Sequence, residues 1–211
     1  MLSKQEIDRL LKSQVMAIRD QLREVGRQQE SARKDLQTFR DEQKAPVDAA
    51  NSGRLSRFQQ DQERVTSGLS RTVKDFDLLL GKMEANKVGD EKEKAWLAGL
   101  RTDVDSLATK NSAEVGKMIE EVKSQAVQTP QKPETLDPIL EKEQRIERDI
   151  QMLVTRLSEF GDLNAVINQL REIQKRQADI RQKTLDRAKK QGAGNPPEGE
   201  GEKATNGEGT R

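Results

Sequence analysis

The sequence predicts an all-α protein made of antiparallel coiled-coil helical hairpins with a disordered C-terminal tail. The main observation is a seven-residue spacing of apolar side chains that recurs along most of the chain. Charged residues make up 36% of the sequence and hydrophobic residues only 32%, against about 25% and roughly 45–50% in ordinary globular domains. Glycine and proline clusters interrupt the spacing, so the chain should form several long helices that bury narrow apolar seams.

A first hairpin is predicted near the N-terminus, where Ser3 and Glu6 have the spacing of a capping box. Its first stripe advances by alternating steps of four and three residues and comprises Leu11, Val15, Ile18, Leu22, Val25, Gln29, Ala32, Leu36 and Phe39. Its second stripe has the same rhythm and comprises Leu55, Phe58, Gln62, Val65, Leu69, Thr72, Phe76, Leu79 and Met83. Pro46 interrupts the helix between them. Folding the chain back there brings the stripes into register, with Phe39 opposite Phe58.

A third helix is predicted after Asp90 and Glu93, which again have capping-box spacing. Its stripe comprises Leu97, Leu100, Val104 and Leu107. The phase shifts at residues 110–112, which predicts a stutter or a short kink. Because this helix could lie against the first hairpin and form a three-helix bundle, residues 1–128 are expected to form one domain.

A second hairpin is predicted for residues 139–191, after a stiff proline-rich linker at residues 129–138. Its two stripes comprise Ile139, Glu143, Ile146, Ile150, Leu153, Leu157 and Phe160, then Val166, Leu170, Ile173, Gln177, Ile180 and Thr184. Gly161 fits a helix end and predicts a tight turn between them. A continuous bent helix is the alternative, because a two-residue turn between helices is short. Residues 192–211 lack periodicity and are predicted to be a disordered tail.

The residue types that usually carry catalysis are scarce. Histidine, cysteine and tyrosine are absent, so the commonest general acid–base group and the usual transition-metal ligands are missing. We therefore expect no enzyme activity, no cofactor and no metal site. The 38 basic and 37 acidic residues leave a net charge of +1. Without an overall positive field, nucleic acid is not an expected partner of the chain as a whole.

The sequence contains no apolar run near the ~20 residues that a membrane-spanning helix requires. Its polar first residues also lack the apolar region of a signal peptide. A cytoplasmic location is therefore the default expectation. An envelope-associated location is the alternative if the chain is part of a longer, anchored protein.

Two sets of residues are candidate interaction sites. One is a basic segment, residues 171–190, which contains eight basic residues and only three acidic ones. The basic residues are Arg171, Lys175, Arg176, Arg181, Lys183, Arg187, Lys189 and Lys190. These residues form either a solvated helix face or a patch for a polyanion. The other is Trp96, which is either a packing anchor between helices or a partner-binding residue. Gln29, Gln62 and Gln177 occupy seam positions, where polar side chains usually fix register.

Two segments resemble a known group of proteins. Residues 78–88 (LLLGKMEANKV) are similar to an L-x-x-L-x-x-N-x-L/V stretch, and Leu170, Ile173, Gln177, Ile180 and Thr184 match an L-x-x-I-x-x-x-Q-x-x-I-x-x-x-T helix. Both motifs occur in large, uncharacterised coiled-coil proteins of planctomycete bacteria. The resemblance covers about residues 10–190 and implies the C-terminal helical region of that group. Phe160 stands where those proteins often have tryptophan.

Members of that group carry a membrane-anchoring segment and a long upstream region, neither of which this sequence contains. The chain thus resembles only the C-terminal part of that group, and it is either a complete protein or a piece of a split or truncated reading frame. The group has no assigned activity, so no functional residue is transferred to this sequence.

The expected function is that of a structural or scaffolding coiled-coil protein, which binds protein partners or a second copy through helical surfaces. The first alternative is a polyanion-binding accessory protein that acts through the basic helix at residues 171–190. A holdase-like chaperone is a weaker alternative, because the hairpin tip around Pro46 carries only small apolar residues.

Overall fold

The computed structural model describes the backbone of residues 4–192; within it, the side chains of residues 4, 5, 8, 160–172 and 188–192 are not described. This part of the chain is helical and contains no β-strand, so the all-α prediction is confirmed. The five helices are α1 (Lys4–Glu42), α2 (Ser52–Ala85), α3 (Glu91–Ser106), α4 (Ala113–Gln128) and α5 (Asp137–Gly192). No helix of residues 4–192 combines the length and apolar content needed to cross a membrane.

Helices α1 and α2 pack against each other in opposite directions. The rings of Phe39 and Phe58 lie near the connection, with centroids 5.5 Å apart, and Val25 packs closely on Gly68 farther from it. The predicted Phe39–Phe58 pairing is therefore confirmed. Every predicted seam residue of α2 and all but the first of α1 are buried.

The third predicted helix forms and lies antiparallel to α2. Arg101 of α3 pairs with Asp77 at 3.0 Å, and Lys123 of α4 donates to Gln59 at 3.2 Å. Between α3 and α4, residues Leu107–Ser112 form a π-helical segment, at the residues where the sequence predicts a change of phase. A π turn accommodates one extra residue. The buried positions of α4 therefore lie one residue later than a continuation of the α3 stripe would place them.

The first part of α5 completes a four-helix bundle with α1, α2 and the continuous helical segment made of α3, the π-helical residues and α4. Arg40 of α1 pairs with Asp137 at 2.8 Å, and Arg33 pairs with Glu147 at 2.7 Å. On the other side, α5 forms two ion pairs with α3 and α4, Arg156 with Asp103 and Lys142 with Glu114. In each set of pairs, residue numbers rise along one helix as they fall along the other. Neighbouring helices of this bundle are therefore antiparallel, as in an up-down-up-down topology.

The predicted second hairpin is wrong, because the backbone stays helical through Gly161 as far as Gly192. A glycine within a helix costs only about 1 kcal/mol relative to alanine. The apolar residues before Gly161 are also already covered, since Ile146, Ile150 and Leu153 are buried in the bundle. A returning helix is therefore not needed to cover them, and the continuous helix is the correct alternative. The predicted tail lies outside the described residues from residue 193 onward.

The contacts divide the chain into two compact units, Met1–Leu163 and Asn164–Arg211. The first unit contains the four-helix bundle with its core. In the second unit, the described side chains are those of residues 173–187, and all of them are exposed.

Candidate functional sites

A buried polar cluster lies inside the bundle beside the π-helical segment. The amide Nε2 of Gln62 donates to the hydroxyl of Ser112 at 2.6 Å, and the hydroxyls of Ser112 and Thr66 are 2.6 Å apart. The Thr66 hydroxyl donates to the Gln62 main-chain carbonyl at 2.9 Å, so Ser112 donates to Thr66. The extra residue of the π segment turns Ser112 inward, where it is fully buried.

Glu143 is a further buried polar residue of the bundle and occupies a seam position of α5. Its side chain is 1% exposed, and burial raises the pKa of its carboxyl to about 8, although Arg33 acts in the opposite direction. The guanidinium of Arg33 donates instead to Glu147 at 2.7 Å. Glu143 is therefore mostly protonated at neutral pH, because desolvation disfavours its charged form more strongly than Arg33 stabilises it.

Gln29 is fully buried on α1, so each arm of the bundle contributes a buried polar side chain. The ion pair of Lys142 with Glu114 places Glu143 near the height of Ser112. Buried polar groups of this kind penalise shifted alignments, in which they would lie against apolar neighbours. Together with the cluster, the buried Gln29 and Glu143 suit a structural role in fixing the register of the four helices.

The buried polar side chains of the bundle offer hydroxyl, amide and carboxyl groups, and the sequence contains no histidine or cysteine. Within the described part of the chain, acidic residues nowhere gather into a group of three that could hold a metal ion. The roles of Ser112 and Glu143 were not predicted from the sequence. A glutamate between two isoleucines of one seam was the available signal for Glu143, whereas Ser112 gave none.

Trp96 lies near the start of α3, partly buried against the bundle core. This position agrees with the packing interpretation. A role of Trp96 in binding a partner stays a prediction. At the predicted hairpin tip, Val47 is buried and its main chain pairs with that of Gln131. The one apolar residue of any size at that tip is therefore not exposed.

The basic segment lies in the last part of α5. The structure describes five of its eight basic side chains and shows them exposed: Lys175, Arg176, Arg181, Lys183 and Arg187. The side chains of Arg171, Lys189 and Lys190 lie outside the described residues. With 3.6 residues per turn, the five do not share one face of the helix.

The same part of α5 also exposes large apolar side chains. Ile173 is 50% exposed, Ile180 is 63% exposed and Leu185 is 49% exposed. Ile173 and Ile180 are separated by one heptad and lie on the predicted seam together with Gln177 and Thr184. We call this face, made of Ile173, Gln177, Ile180 and Thr184, the α5 stripe.

The fold and these sites define an all-α protein with a four-helix bundle. Comparisons with protein-family models, curated proteins and solved structures find no match to this chain. The resemblance to planctomycete coiled-coil proteins therefore stays a prediction.

Proposed function

We propose that the protein is a structural or scaffolding protein that binds protein partners through a helical surface, and that the α5 stripe is this surface. The observation that supports the proposal is the exposure of Ile173 and Ile180 at coiled-coil spacing. Isoleucines at seam positions usually face a second helix. A helix that repeats this spacing while exposed to water presents a ready surface for another helix.

The α5 stripe offers four seam positions in succession. Its residues 173–184 correspond to about 17 Å of helix at 1.5 Å per residue. A helix-in-groove or coiled-coil contact of this length uses several anchors along one face. The bundle, with its buried polar groups, serves as the folded body that carries this surface.

The proposal is tested by affinity capture from native cells with three forms of the full chain. These are the unchanged protein, the double variant Ile173→Ser/Ile180→Ser, and the control Leu78→Ser/Met152→Ser, which removes two exposed apolar side chains from the bundle surface. We expect the same partner proteins with the unchanged protein and the control, and their loss with the α5 variant. Equal capture by all three forms would refute the proposal.

Polyanion binding through residues 171–190 is the second candidate function, because the five described basic side chains of this segment are exposed. Binding that depends on phosphate or sulfate contacts weakens steeply as salt concentration rises. A titration with duplex DNA or heparin at increasing salt would therefore separate the two functions. A partner contact made mainly by the isoleucines should change little over the same range of salt.

A further inference from the structure

The charges beside the α5 stripe have one sign. On a helix with 3.6 residues per turn, Arg181 borders one side of the stripe, and Arg176 and Lys183 border the other. The acidic residues Asp179 and Asp186 fall on the opposite face of the helix. All three basic side chains are exposed. The apolar stripe is thus flanked by cations, while Asp179 and Asp186 lie on the opposite face of the helix.

These charges disfavour a second copy of the chain as the partner. In a parallel coiled coil, a flanking residue just before a seam residue of one helix, such as Arg176 before Gln177, contacts the other helix. Its neighbour there is the flanking residue just after the next seam residue, such as Arg181 after Ile180. Arg176 would then face Arg181 of the second copy. In an antiparallel pair, residues on the same side of the seam face each other, so Lys183 and Arg176 would meet cations again. Like charges at these positions oppose pairing.

The chain's own acidic tail does not suit the stripe either. Residues 193–211 contain several glutamates, but alanine is their only aliphatic residue type and they include no leucine, isoleucine or valine. Such a segment could meet the cations and would leave the isoleucines exposed to water. The occupant must therefore supply two things together, an apolar seam and acidic flanks.

We infer that the α5 stripe binds a partner α-helix whose apolar seam is flanked by acidic side chains. This inference rests on the proposed function and names its partner by chemistry. Glutamates on both flanks of such a helix would lie opposite Arg181 and Lys183. Among the residues that the structure describes, no ion pair involves either of these two cations.

The polar residues of the α5 stripe place a further condition on the partner helix. Gln177 and Thr184 alternate with Ile173 and Ile180 along the stripe. A polar side chain in a seam lowers the gain from apolar burial and favours an alignment in which it meets another polar group. With a weaker apolar contribution, the flanking charges decide which helices bind.

The test uses the full chain and three synthetic peptides of four heptads each. The first has apolar seam residues and glutamate on both flanks, the second has the same seam with lysine flanks, and the third has glutamate flanks with serine in the seam. Fluorescence anisotropy of the labelled peptides measures binding. We expect the first peptide to bind, and the second to bind roughly tenfold or more weakly, because several charge pairs change from attractive to repulsive. The third peptide should not bind.

Variants of the protein make the test specific. Arg181→Glu/Lys183→Glu should reverse the preference, so that the lysine-flanked peptide binds better. The matched control Lys175→Glu changes one cation on the face away from the stripe and should leave the preference unchanged. Ile173→Ser/Ile180→Ser should bind none of the peptides. Since the side chains changed are exposed, all variants should keep the melting temperature of the unchanged protein.

Three results would overturn the inference. Equal binding of the glutamate-flanked and lysine-flanked peptides would show that charge does not select the partner. Binding of the serine-seam peptide would identify a general polyanion patch. Self-association that requires Ile173 and Ile180, without peptide binding, would make a second copy the occupant. This last result would contradict the inference and still support the proposed function, whereas cellular capture independent of both isoleucines would refute the proposed function itself.

Discussion

Two parts of helix α5 repeat the same heptad spacing and have opposite environments. Ile146, Ile150 and Leu153 are at most 4% exposed, because α1, α3 and α4 cover them. About three to five heptads further along the same helix, Ile173 and Ile180 are at least half exposed. A heptad pattern therefore predicts that a face can be buried, but the neighbouring helices decide whether the chain itself buries it.

The largest expected difference between the two parts concerns stability. Ile150→Ala should lower the free energy of unfolding by about 2–5 kcal/mol, because it leaves a cavity in the bundle. Ile180→Ala should change it by no more than about 0.5 kcal/mol, because the side chain is already in water. Denaturant unfolding of the two variants measures both values. A comparable loss for Ile180→Ala would mean that the α5 stripe is covered in the free protein.

The buried carboxyl of Glu143 should make the bundle sensitive to pH. Its pKa is raised to about 8 in the folded protein, so the folded state holds this proton more tightly than the unfolded state. The stabilisation of the folded protein by the protonated Glu143 carboxyl is fully present below the ordinary glutamate pKa, and it is lost as pH rises toward about 8. Integrated over that window, the loss amounts to at most about 5 kcal/mol.

Glu143→Gln should remove this pH dependence, because the amide carries no charge and has nearly the same shape. The measurement is the difference in unfolding free energy between the variant and the unchanged protein from pH 5 to pH 9. That difference should grow in favour of the variant as pH rises. Glu141→Gln, an exposed position on the same helix, is the control and should show no such growth. A flat difference for Glu143→Gln would contradict the burial of a protonated carboxyl.

Two glycines of the bundle, Gly68 and Gly99, should respond oppositely to replacement by alanine, because only Gly68 is closely packed. A Cβ atom on Gly68 would lie 2.7 Å from Cγ2 of Val25, so Gly68→Ala should destabilise the protein by about 1–3 kcal/mol. In a protein that already carries Val25→Ala, adding Gly68→Ala should destabilise the fold by less, because the smaller side chain at residue 25 leaves room for the new Cβ atom. At Gly99 no atom lies within 4 Å of such a Cβ, and Gly99→Ala should stabilise the helix by about 1 kcal/mol or slightly less. Melting temperatures of the four variants, Gly68→Ala, Val25→Ala, their combination and Gly99→Ala, test this order.

Much of the bundle could be predicted from the sequence. The stripes of α1 and α2 supplied the seam residues and the Phe39–Phe58 pairing, because long periodic segments separated by a clear break leave few alternatives. The capping box of Asp90 and Glu93 and the position of Pro138 marked helix starts near their positions in the structure. The phase shift after Leu107 located the π segment, although spacing alone did not distinguish it from a kink.

The path of α5 could not be predicted, because its two halves each satisfy the pattern of a hairpin arm. Gly161 is compatible with both a helix end and a helix interior, and the choice depends on contacts with α1, α3 and α4 that the local sequence does not contain. The buried cluster was equally hidden. Ser112 turns inward only because of the π segment, and the pKa of Glu143 depends on three-dimensional burial.

The exposure of the α5 stripe and the burial of the earlier part of α5 can be compared directly through the reactivity of two introduced thiols. The chain has no cysteine of its own, so Leu153→Cys and Ile180→Cys each place a single thiol on one part of α5. At submicromolar protein concentration, Ile180→Cys should react with a thiol reagent nearly as fast as a free thiol. Leu153→Cys should react at least about 100-fold more slowly, because labelling requires opening of the bundle. Equal protection of the two thiols would show that the chain covers its own stripe, and would contradict the account.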